Sequence, residues 1–65
     1  MNNQNIIYLK KELVKINNHF KEKKFNLVIK KSKLLLKTNP KQPMIYNLIG
    51  LSHLELSETK KALEN

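Results

Sequence analysis

Sixty-five residues with 13 Lys, five Glu and no Cys carry a net charge of +8 and make one small domain, residues 1–65, because a single core becomes self-sufficient only at about 70–80 residues. The lack of Cys excludes disulfides and thiolate zinc as staples, so helix packing or a partner has to supply the stability. Marginal stability of the isolated chain is the expectation. Eleven of the Lys lie in residues 1–42 against Glu12 and Glu22, whereas residues 43–65 hold Lys60 and Lys61 against Glu55, Glu58 and Glu64. A basic half attracts anions such as phosphate. The cations are all Lys, however, without the planar fork of Arg that grips phosphate or reads guanine.

The N-terminus is polar through Asn5, and Ile6 to Leu9 is a short apolar run ended by Lys10-Lys11-Glu12. A signal peptide needs an apolar stretch of about 7–15 residues and a spanning helix about 20. No membrane segment is read here, and the expected location is cytoplasmic. The first predicted helix covers about Asn5 to Lys21, with Leu9, Leu13, Ile16 and Phe20 in one stripe at helical spacing.

A second helix is predicted from about Lys24 to Lys37. Phe25, Val28, Ile29, Leu35 and Leu36 share its buried face, with Ser32 as a small residue allowing close helix approach. Lys30, Lys33 and Lys37 form a separate ridge, read as a solvated helix face or, functionally, as a surface that attracts an acidic partner. Thr38-Asn39-Pro40-Lys41-Gln42-Pro43 is the longest cluster of breakers. Asn39 can adopt the left-handed cap conformation, and Pro40 cannot continue a helix. Pro43 suits the first position of the next one.

The third helix, about Pro43 to Leu56, is apolar over a wide arc: Ile45, Leu48, Ile49, Leu51 and Leu56. Ser57 is expected to cap a short fourth helix, Glu58 to Asn65. With no alternating strand pattern anywhere, the fold class is all-α: three helices and a short fourth, arranged as antiparallel helix-turn-helix units.

Self-alignment at an offset of 34 pairs Phe25 with Thr59, Val28 with Ala62, and Ile29 with Leu63, and 34 residues is a helix-turn-helix repeat period. Tyr46-Asn47-Leu48-Ile49-Gly50-Leu51-Ser52-His53-Leu54 resembles the start of helix A in the tetratricopeptide repeat family. Ala62 matches the small residue of its helix B. Phe25 to Pro40 resembles a helix B with its closing proline. The resemblance implies about one and a half repeats of an α-solenoid: residues 5–40 as a degenerate or capping repeat, and 43–65 as a second, truncated in helix B. It also implies that Gly50 and Ala62 let helices cross closely. In the first helix, the family's alignment puts Glu12, Lys15 and His19 at packing positions, one residue out of register with the chain's own stripe.

The resemblance implies protein–protein interaction without catalysis. The family's concave groove would be lined by Asn17, Lys21, Met44, Asn47, Leu51 and Glu55, holding a peptide or partner segment steered by Lys. Leu27 and Leu34 lie nearly opposite the main stripe of the second helix. They are read either as stray surface leucines or as a second contact surface for another domain, a following domain or another copy of the chain. Two other readings are a non-catalytic N-terminal segment of a larger bacterial transferase-type enzyme and a Lys-rich nucleic-acid binder. His19 and His53 fall short of the three protein ligands zinc needs, and Glu55 and Glu58 have no accompanying nucleophile. No catalytic, cofactor or metal site is expected.

Overall fold

Apolar residues spaced three and four apart generate each helix, and the breakers between them set the turns. The computed structural model describes the backbone of residues 3–64 and the side chains from Ile6 onward. Its elements are α1 (Asn3–Lys21), α2 (Phe25–Leu36) and α3 (Pro43–Glu64), with no strand among the described residues. The chain is all-α.

The shortest helix is the central one. It contributes Phe25, Val28, Ile29, Ser32 and Leu35 to the interior, packing extensively on α3, less on α1, while α1 and α3 meet narrowly. Ile16, Val28, Leu35, Ile45 and Leu48 form one cluster drawn from all three helices, with Leu9, Leu13, Phe20, Leu36 and Ile49 packed around it. The stripe on α1 therefore faces the core in its own register, and Lys15 is exposed. Nineteen residues in α1 and twenty-two in α3, against twelve in α2, leave overhangs of about 10 and 15 Å at 1.5 Å per residue. This makes the molecule 50 × 20 × 14 Å.

The α1–α2 turn has no Gly, and Lys23 takes the left-handed conformation at φ 63°. Its N–H donates to the Phe20 carbonyl at 2.9 Å, and the Lys24 N–H donates to that of His19 at 2.9 Å. This pair of bonds is the Schellman closure of a helix C-terminus. It brings Phe20 and Phe25 edge to face, ring centroids 5.2 Å apart and planes at 72°, a favoured aromatic geometry.

The α2–α3 turn closes without a left-handed residue. Asn39 is not left-handed: Lys23 is the only non-Gly residue with positive φ among those described. Pro40 restricts the residue before it to extended backbone. The helix instead ends with the Leu35 carbonyl collecting donors, namely the Asn39 N–H at 3.0 Å, Asn39 Nδ2 at 3.2 Å and Thr38 Oγ1 at 3.3 Å. Tyr46 Oη donates to the Pro40 carbonyl at 3.0 Å and ties α3 back to the turn. Pro43 opens α3 as expected.

Two expectations about α3 are corrected. It runs unbroken through Ser57 to Glu64, so no separate fourth helix forms. No Gly or Pro interrupts Leu54 to Glu64, and continuation preserves the backbone bonds that a cap would forfeit. Thr59 Oγ1 also donates to the Glu55 carbonyl at 2.9 Å. Leu51 is 49 % exposed.

Gly50 is exposed, and a methyl group there would meet nothing within 4 Å, so it serves no close crossing. The small residue buried in α3 is Ser52, at 0 % exposure. Gly50→Ala is expected to stabilise the chain by about 0.5–1 kcal/mol, because an exposed helix interior favours Ala over Gly. A lower urea midpoint for this variant would reinstate the close crossing.

Candidate interaction surfaces

The helices distribute the six groove candidates along two strips. Asn17 and Lys21, four residues apart, are exposed on α1. Met44, Asn47, Leu51 and Glu55 recur at three and four residues along α3 and are also exposed, Met44 at 52 %. The helical period thus assembles the α3 members into one strip, and Leu54, at 55 % exposure, widens it. The α1 members lie on the helix that α3 touches least.

Leu27 and Leu34 part company. Leu27 is half-buried, whereas Leu34 is 55 % exposed. Leu34 forms one wall of a cleft of about 320 Å³ between α1 and α2, lined also by Tyr8, Glu12, Lys31, Leu35 and Thr38. Tyr8 escapes a reading based on the stripe because it lies outside it. The available signal was its spacing, since Tyr8, Glu12 and Lys15 repeat at four and three residues on the flank of α1, which helical geometry turns into one face.

Lys15 Nζ sits 3.5 Å from Glu12 Oε1, a surface pair contributing at most about 1 kcal/mol. His19 Nδ1 lies 3.6 Å from Glu22 Oε1, and that carboxylate's other oxygen is 3.8 Å from Lys24 Nζ. His19 is half-buried in α1 and His53 exposed in α3. No group of three His, Cys, Asp or Glu converges to hold a metal among the described residues. Lys30, Lys33 and Lys37 are all exposed, as are Glu55 and Glu58.

Compared with family models, curated proteins and solved structures, the chain matches none. No helix is long and apolar enough to cross a membrane among the described residues. What the surfaces offer chemically is apolar contact framed by Lys and Asn, the ingredients of recognition.

Proposed function

We propose that this chain is a protein-interaction module: a tetratricopeptide-like helical scaffold that docks a peptide or partner segment and performs no chemistry of its own. The observation that carries the reading is the outward strip of α3. Met44, Leu51 and Leu54 are each about half exposed along one side of a helix whose other side, Ile45, Leu48 and Ser52, is fully committed to the core. Contiguous exposed apolar surface marks contact sites more often than isolated exposed leucines do. Asn47 and Glu55 within the strip supply polar groups for register, as a helical or extended segment in a groove requires.

Selection of a random peptide display library on the immobilised chain tests this. Enriched peptides are expected to lose at least tenfold in affinity for the Met44→Ser/Leu51→Ser variant, with its helical circular dichroism unchanged. The reading fails if no peptide enriches, or if enriched peptides bind both forms equally.

A further inference from the structure

The cleft between α1 and α2 is concave and partly apolar, with Lys31 and Glu12 as its charged lining, and lies between two Lys-rich helices. Tyr8 and Leu34 are 56 % and 55 % exposed on either side of it, and buried Leu35 is part of the lining. Its volume of about 320 Å³ is at the low end of the roughly 300–1,000 Å³ of ligand pockets, room for one or two large side chains. Lys31 is part of the wall. Lys30 and Lys37 lie one turn to either side of Leu34, and Lys11 and Lys15 one turn beyond Tyr8 and Glu12. Lys15 is paired with Glu12. The other four Lys are in no ion pair among the described residues.

We propose that this cleft is an anchor site for a large apolar side chain carried on an acidic amphipathic helix of a protein partner. The inference rests on the reading of the chain as an interaction module but uses a surface separate from the α3 strip. Charge selects the occupant. A second copy would bring another +8 and be disfavoured by net charge, whereas acidic residues flanking the anchor meet the Lys excess of residues 1–42 and speed association. A nucleic-acid backbone would satisfy the Lys but gain nothing from Leu34 and Leu35. An anchor residue in a desolvated hollow, framed by charge at the rim, is the arrangement that concentrates binding energy.

The test uses the whole chain and a dye-labelled helical peptide of about 20 residues and net charge about −4, with Leu at i, i+3 and i+7. Saturable binding is expected by anisotropy, with amide shifts at Tyr8 and from Lys31 to Thr38. Replacing the three Leu by Ala in the peptide is expected to lose at least tenfold. Leu34→Lys in the protein decides between mechanisms, because it fills the cleft while adding positive charge. It weakens binding at least tenfold if the cleft takes an anchor, and strengthens it if attraction is only electrostatic. Leu34 is exposed, so circular dichroism of the variant is expected to match the parent. Met44→Ser/Leu51→Ser is expected to leave this peptide's affinity unchanged, which separates failure of the cleft from failure of the strip. The proposal is overturned by absence of peptide binding, by insensitivity to Leu34→Lys, or by tighter binding of a single- or double-stranded oligonucleotide whose shifts spare Tyr8 and Leu34. A Leu34-dependent dimer seen by sedimentation would equally overturn it, making the occupant a second copy.

Discussion

Ile45→Ala is expected to leave most of the chain unfolded at 25 °C. Ile45 is 0 % exposed and belongs to the one cluster that joins all three helices. It sits two residues into α3, where its N–H donates to the Gln42 carbonyl at 3.1 Å, so the side chain seats the helix as it leaves the turn. Removing buried methyl and methylene groups from such a site costs about 2–5 kcal/mol, transfer and cavity terms together. A domain of this length has a total stability of only about 3–10 kcal/mol. The chain sits toward the low end, because its core holds few fully buried side chains and both outer helices overhang. Ile45→Val removes a single methylene, costs about 0.5–1.5 kcal/mol, and is expected to remain folded. Leu63→Ala, at a position 84 % exposed, is expected to change stability by less than about 0.5 kcal/mol. Urea titrations followed by circular dichroism would rank the three variants. A native-like midpoint for Ile45→Ala would mean that the three-helix cluster is not what holds the chain together.

Ser32→Leu is expected to be nearly as damaging, for the opposite reason. Ser32 and Ser52 are both 0 % exposed, and neither hydroxyl makes a hydrogen bond among the described residues. They are buried for their small size, where α2 passes beneath its neighbours. A leucine at position 32 has to push helices apart or leave its rotamer, at about 1–3 kcal/mol. Ser32→Ala keeps the size and removes a hydroxyl whose burial without a partner costs about 1–3 kcal/mol. It is expected to be neutral or stabilising. The pair therefore separates volume from polarity: stability should follow Ala ≥ Ser > Leu by urea midpoint. If Ala proves as harmful as Leu, the hydroxyl carries a bond essential to the fold, and the account from size is wrong.

The stripes on α1 and α2 were legible because period 3.6 leaves an unambiguous mark when charged residues fill the opposite side. Leu9, Leu13, Ile16 and Phe20 pack around the core, and Phe25, Val28, Ile29, Ser32 and Leu35 are buried. The position of the α2–α3 turn, though not the way it closes, was equally plain, since Pro40 and Pro43 have few conformations open to them. The α1–α2 closure left no such mark. A Lys at positive φ is tolerated there because two backbone bonds and the Phe20–Phe25 contact hold it. On α3 the broad apolar arc was ambiguous. Which of Leu48, Leu51 and Leu54 turns inward depends on where α2 lies, and only Leu48 is buried.

The expected groove was legible as a strip but not as a groove. Its α3 members line up by period alone, whereas their relation to Asn17 and Lys21 depends on how α1 meets α3. The cleft was half legible: Leu34 stood out on the wrong side of α2, but its partner Tyr8 lies 26 residues away in the chain, and no local pattern joins them.

Length, the absence of Cys and the spacing of apolar residues determined by themselves that this protein is a small helical chain with a thin core and a basic first half. Those properties follow from local geometry and from the ratio of surface to volume, which the residues carry wherever the helices go. Tertiary packing alone decided that Ser52 rather than Gly50 is the small residue inside, and that Tyr8 and Leu34 face each other across a cleft. Each of these turns on which side of one helix another covers, a question of crossing angle and register that emerges only when the helices compete for the same few buried positions.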